Sequence, residues 1–284
     1  MAERGGKVGF RTQAEGDPSS WPIELSINEG IAIITLNRPE KRNAWSWESA
    51  RQFGEIADKI RFDESVRAVI LRAEGPAFCA GVDFSMPSDR IVGRSPAEKI
   101  RNYYEAFRWV HERFGVFANL PQPTIGAIQG YCLGAGFEIA LMCDIRVASD
   151  DVQFALPEAS VGVSIDSGGD MRLAREIGPA WARLLAFTGR RIDAEQALRL
   201  GIVQQISRRE ELDAVAMGIA QEIAAQAPLA IQGIKRSING YVDQGLSDAL
   251  RFEAMSAAVE FVSEDMTKGY AAKASKSDAD FEGC

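Results

Sequence analysis

Gly130-Tyr131-Cys132-Leu133-Gly134-Ala135-Gly136-Phe137-Glu138-Ile139-Ala140-Leu141-Met142-Cys143-Asp144 is the stretch on which the reading of this chain turns. Three glycines crowd the front of a short apolar run that reads as a helix ending near Asp144, and a single glutamate, Glu138, interrupts it. Glycine lacks a Cβ and the first turn of a helix has unpaired donors, so such a turn lets backbone approach a ligand and aims peptide N–H groups at it. Upstream, Thr124–Ile128 has the β-branched character of a strand feeding the turn, after Pro121 and Pro123 close the preceding pattern.

The flanks extend the pattern. Ile23–Ile27 and Ile31–Leu36 are apolar runs around Asn28-Glu29-Gly30, a hairpin signature. Ser46 suits the N-cap of a helix reaching Ile60, Val66–Ala73 reads as a strand, and Glu98–Phe117 is amphipathic at helical spacing. Ile145–Ala148 and Val152–Ala155 are short strands, with Glu158 following Pro157. Beyond Gly178 the periodicity is nearly all helical, with Ser247–Ala272 expected as one helix and Ile202–Ile206 as a strand. The expected organisation is a flexible tail over 1–22, an α/β core over 23–205 and a helical subdomain over 206–284.

Composition sets the function classes. At 284 residues and 46% hydrophobic content the chain can bury a full core. A formal charge of -8, with acids and bases interspersed, argues against a nucleic-acid or anionic-membrane partner. No run of about 18 apolar residues is present and the first 22 residues lack an apolar secretion signal, so a cytoplasmic protein is expected. Cys79, Cys132, Cys143 and Cys284 lack C-x-x-C spacing and suit reduced thiols. The one histidine, His111, lies in the amphipathic helix and reads as a surface or packing residue. Histidine-rich metal sites are thereby excluded, no bound cofactor is implied, and acid–base work falls to carboxylates, Lys, Tyr or Cys.

Six motifs in order carry a resemblance: Leu36-Asn37-Arg38-Pro39 with Asn43-Ala44, Ala77–Phe84, Gly130–Glu138, Phe154–Glu158, Gly168-Gly169 with Arg172-Leu173, and Thr188–Ala194. Together they resemble the crotonase, or enoyl-CoA hydratase/isomerase, superfamily. The resemblance implies a spiral of ββα turns with a C-terminal helical subdomain, a homotrimer or dimer of trimers, and an acyl-CoA thioester as substrate. It implies an oxyanion hole from the backbone N–H groups of Val82 and Ala135. Coenzyme A and its acyl group are then expected along Ala44, Ala80, Val82, Asp83, Phe84, Gly134 and Ala135. Glu138 and Glu158 match the glutamate pair that holds a water in the hydratases, which makes a hydro-lyase the favoured activity.

Asp166 stands apart from the hydratase pattern, in Ile165-Asp166-Ser167-Gly168-Gly169-Asp170, eight residues beyond Glu158. It resembles the catalytic aspartate of dienoyl-CoA isomerases, and Asp166 or Ser167 equally suits the N-cap of a helix over Met171–Ile177. An isomerase using Asp166 and a non-catalytic acyl-CoA-binding protein are the alternatives. Lys273 and Lys276 replace a family cluster near the end and suit either a CoA phosphate or a solvated face.

Overall fold

The computed structural model describes residues 22–85, 93–244 and 246–283. The expected N-terminal tail therefore lies, but for Pro22, outside the described residues. Strands β1 (Ile23–Asn28) and β2 (Ile31–Leu36) pair antiparallel with Ile23 opposite Leu36. Glu29 and Gly30 at the tip both have positive φ, the geometry that matches the twist of a two-residue hairpin. Strands β3 (Ala68–Ala73), β4 (Thr124–Ile128), β6 (Ile145–Ser149) and β9 (Gln205–Ser207) continue from β2 in parallel, giving a six-stranded sheet ordered β1-β2-β3-β4-β6-β9. A second sheet stacks β5 (Tyr131–Leu133), β7 (Gln153–Ala155) and β8 (Ile192–Asp193). The turns through β4 and β6 thus run through one strand of the large sheet, one of the small sheet, and a helix.

Helix α1 (Trp47–Arg61) begins where Ser46 accepts from the Ser49 N–H, with Ser49 returning the bond in a capping box. Helix α2 spans Pro96–Ala118. Their inner faces meet through Phe53, Phe114 and Phe117, with Trp45 edge-on at 5.5 Å from Phe53 and 5.3 Å from Phe114. Helix α3 (Ala135–Ala140) is shorter than the apolar run suggested. Its last turn tightens through Met142 and Cys143, whose N–H groups reach Ile139 and Ala140, because the chain must double back into β6. Asp144 ends that turn by accepting from Thr124 N–H at 2.7 Å and pairing with Lys235 at 2.6 Å.

Helices α4 (Gly169–Ile177), α5 (Pro179–Thr188) and α6 (Ala194–Leu200) complete the core, and α7 (Leu212–Ala224) lays Leu212, Ala216 and Ala220 across Ile31, Ile70, Ile125 and Val147 of the large sheet. Two boundaries differ from the periodicity. Ile202 and Val203 are fully buried as a connector, and pairing with β6 begins only at Gln205, so β9 starts later than expected. The last helical run divides into α9 (Leu246–Glu260), after α8 (Pro228–Gln244), and α10 (Glu264–Ser275), because Ser263 turns extended and caps α10 through the Met266 N–H. Among the described residues no single helix is long and apolar enough to cross a membrane.

The loop leading from α1's N-terminus to the core depends on one side chain. Asn43 is buried with φ at 54°, and its Oδ1 accepts from the Arg38 N–H at 2.7 Å. Its Nδ2 donates at 2.9 Å to the carbonyls of both Glu74 and Ala77. Asn43→Ala strands three backbone groups, one buried and two part-buried, and puts alanine in a left-handed conformation, so urea unfolding should show a loss of about 2–4 kcal/mol. A loss below about 0.5 kcal/mol would contradict this role, since surface changes have that size.

Candidate active site

Backbone pairing brings two distant loops together. The Cys79 N–H donates to Tyr131 O at 3.0 Å, and the Leu133 N–H donates to Cys79 O at 2.9 Å. The next residues therefore meet: a Cβ on Gly134 would lie 3.8 Å from Gly81 Cα, and one on Gly81 would lie 3.2 Å from Leu133 O. Val82 follows Gly81, and Trp45 brackets it by donating to Gly81 O at 2.7 Å and accepting from Asp83 N–H at 2.9 Å. Ala135 follows Gly134 as the first residue of α3, where helix geometry supplies no acceptor. Among the described residues neither the Val82 N–H nor the Ala135 N–H has a hydrogen-bond acceptor. Two unengaged peptide donors on neighbouring loops, one of them at a helix start, suit an anionic oxygen.

Glu138 sits one turn further along α3 and is 1% exposed. Its Oε1 accepts from Ser167 N–H at 2.8 Å and Gly169 N–H at 3.1 Å. Burial pushes the carboxyl up to about 8, and Asp166 and Glu158 push the same way, against the two N–H bonds. Phe137, packed at 4.9 Å on Phe154 of β7, ties this helix to the strand that leads to Glu158.

Glu158 opens a 3₁₀ turn, Glu158–Val161, after Pro157. A Cβ on Gly134, whose φ is +52°, would come within 3.0 Å of Glu158 Oε1, so the carboxyl stands directly over the turn that carries the Ala135 donor. Glu158 Oε2 is buried and has no hydrogen-bond partner among the described residues. Such an oxygen is costly to leave unmatched and marks a place where a donor from outside would be welcome. Burial raises this carboxyl above the ordinary range, with Asp166 and Asp170 adding to the effect.

Asp166 does not cap α4. Gly168 holds the N-cap position with no side-chain bond, so the capping role expected as one option for Asp166 or Ser167 is absent. The segment turns instead toward α3: Ser167 N–H reaches Glu138, and Arg172 Nη1 supports it from below by donating to Ser167 O at 3.0 Å. The Asp166 residue keeps an exposed side, yet its carboxyl is raised by desolvation, while Ser167 Oγ and His111 favour its charged form. Glu138, Glu158 and Asp166 thus form one electrostatically coupled set.

The remaining predicted positions line the rim. Phe84 is largely exposed, Val82 is nearly half exposed, and Ala80 is half-buried with its N–H on Arg42 O. Asp83 is buried and engaged: Ser85 Oγ at 2.5 Å holds it near 2 despite desolvation, with help from Arg38 at 3.0 Å. Arg38 Nη1 also donates to Ala44 O at 3.0 Å. Asp83 therefore braces the Val82 loop. Arg38, Asn43 and the Ser167 and Gly169 N–H groups were not among the expected site residues, although the Asn37-Arg38-Pro39 and Gly168-Gly169 motifs contain or adjoin them. Lys273 and Lys276 lie on and just after α10. Among the described residues no group of three or more His, Cys, Asp or Glu is arranged to hold a metal ion.

Comparison with known proteins gives this geometry a context. Residues 26–284 match the family model described as enoyl-CoA hydratase/isomerase. The chain is 34% identical to the short-chain-enoyl-CoA hydratase of Clostridium acetobutylicum, over 83% of this chain and 87% of that protein. It is 35% identical to the carnitinyl-CoA dehydratase of Escherichia coli, over 93% of this chain and 99% of that one. The crystal structure of an enoyl-CoA hydratase from Bacillus anthracis superposes with a TM-score of 0.84 at 29% identity, covering 93% of this chain and all, 100%, of the other. With the ββα spiral, the order of the motifs and the matched length in agreement, the chain belongs to the enoyl-CoA hydratase/isomerase family of the crotonase superfamily.

Proposed function

We propose that this protein is a hydro-lyase that adds water across the double bond of a 2-enoyl-CoA thioester, with coenzyme A entering as part of the substrate and no other cofactor. The observation that carries this reading is the partnerless buried Oε2 of Glu158, beside a second buried carboxyl and a pair of unengaged peptide donors. A water bound between Glu138 and Glu158 supplies the missing donor. Like-charged groups in a desolvated site hold a proton between them, so the pair offers one acid and one base at neutral pH.

In the reaction the water oxygen bonds to the β-carbon while the ionised carboxylate takes one of its protons. The π electrons move toward the thioester, whose carbonyl oxygen becomes an oxyanion held by the Val82 and Ala135 N–H groups. Such donors are worth on the order of 3–4 kcal/mol each in a dry site. The protonated carboxyl then delivers its proton to the α-carbon, which restores the thioester and leaves the pair with the proton count it began with.

Asp166 supports a second reading, an isomerase that returns the proton to a different carbon without adding oxygen, since its charge acts on both glutamates. We also propose a cytoplasmic homotrimer or dimer of trimers. The apolar residues left exposed on α8 to α10 and in the turn before α10, among them Ile234, Ile238, Met255, Phe261, Val262 and Tyr270, favour covered faces.

Glu138→Gln and Glu158→Gln should each lower kcat on a 2-enoyl-CoA by about 10²–10⁴-fold with KM little changed. Full hydration by either variant would remove that residue from the chemistry. In ¹⁸O-enriched water a hydratase yields labelled product; an unlabelled product with a shifted double bond, lost in Asp166→Asn, would instead establish the isomerase. The wild-type kcat/KM should fall as pH rises past about 8, where Glu138 loses its proton. Stability follows the same group. Its folded value of about 8 lies above the ordinary 4.5, so its contribution is full below about 4.5 and lost as pH rises through about 8. Glu138→Gln keeps the acceptor oxygen without the charge and should be more stable than wild type near pH 9 by on the order of 3 kcal/mol, the advantage vanishing near pH 4. Parallel urea curves at the two pH values with no such divergence would rule this out.

A further inference from the structure

The chemistry described so far leaves the one histidine unused. His111 projects from α2 and its Nε2 lies 2.5 Å from the carbonyl oxygen of Asp166. A carbonyl oxygen only accepts, so the ring donates. The peptide unit that carries this oxygen is the same one whose N–H, on Ser167, donates to Glu138 Oε1 at 2.8 Å. One rigid planar group therefore joins α2 to the buried carboxyl of α3. Withdrawing electron density at its oxygen strengthens its N–H as a donor, because successive hydrogen bonds polarise one another, and the Ser167–Glu138 end of the chain is buried. The bond also fixes the plane's orientation, and so the angle at which Glu138 is held.

We propose that His111 is a positioning residue for Glu138, acting through the Asp166–Ser167 peptide rather than through the Asp166 carboxylate. It touches neither substrate nor reacting atoms. The charged groups around this peptide are Asp166 on its own segment, Arg172 of α4 on the next carbonyl, Glu138 from α3, and Glu158 with Asp170 beside them. On α2 itself Arg108 and Glu112 flank His111 and pair with each other at 3.8 Å. Removing the ring slackens the Ser167 N–H bond, which favours the charged carboxylate, so Glu138 holds its proton to higher pH.

The consequence for turnover rests on the acid–base role proposed for Glu138, whereas the consequence for its ionisation does not. The titration of the Glu138 carboxyl is therefore followed by difference infrared spectroscopy, with Glu138→Gln identifying its band. His111→Ala should move the midpoint upward by roughly half a pH unit or more, and lower kcat about tenfold with KM for the acyl-CoA nearly unchanged. His111→Gln, which presents an amide N–H to the same carbonyl, should restore most of both. The midpoint shift should persist in an Asp166→Asn background, where the carbonyl remains and the charge is gone. An unmoved midpoint in His111→Ala, or a shift that vanishes with Asp166→Asn, overturns the proposal. A moved midpoint with unchanged kcat supports the peptide link and counts against the acid–base role of Glu138.

Discussion

Desolvation of Glu138 is the constraint to which the rest of this site answers. A carboxyl that is 1% exposed in the first turns of an apolar helix stays out of water only because α3 is packed on both sides, by Phe137 against Phe154 and by Ile139 and Ala140 in the core. The two N–H groups of Ser167 and Gly169 offset part of the cost, and the rest appears as a raised proton affinity. The burial that penalises the charged form leaves this carboxyl able to keep its proton past neutrality.

Two successive spiral turns must meet for this to work. The Cys79–Tyr131 and Leu133–Cys79 backbone bonds align the loop from β3 with β5, and the Gly134 N–H on Ala155 O fastens the start of α3 to the end of β7. Asn43 and Arg38 hold the first loop from the outside, one through backbone carbonyls and the other through Asp83. The pieces come from residues 38 to 169, so none of the site exists in any single local segment. Stability of the spiral and geometry of the site are therefore the same requirement.

Much of this was legible in the sequence because it rests on local rules. The hairpin at Glu29-Gly30, the Ser46 cap and the strand-turn-helix around Gly134 follow from φ preferences and orphan donors. The burial of Glu138 followed from its apolar flanks, Phe137 and Ile139, and the ββα spiral from the resemblance that the ordered motifs carry, which the neighbouring structures bear out. What escaped were the effects of distance. His111 is the exposed residue that the amphipathic helix led us to expect, but helical periodicity describes one helix and says nothing of the loop 55 residues away whose carbonyl accepts its hydrogen bond. Asp166 had two uses until the fold gave the N-cap to Gly168. The late start of β9 depended on where β6 ends, and the break before α10 on Ser263 turning extended to serve as its cap.

The two free donors belong to the main chain, and this divides the molecule's capacity for change. On the proposed reading, the oxygen that gathers charge is held by the peptides of Val82 and Ala135, so the exposed valine side chain at the rim carries none of that work. If so, substitutions at Val82 or Phe84 alter the shape that an incoming acyl group meets while the course of the backbone, and the stabilisation it provides, is inherited intact. On that same reading a lineage carrying this fold can drift across substrates by exchanging rim side chains, while the buried carboxyls, not the donors, record which reaction each descendant performs.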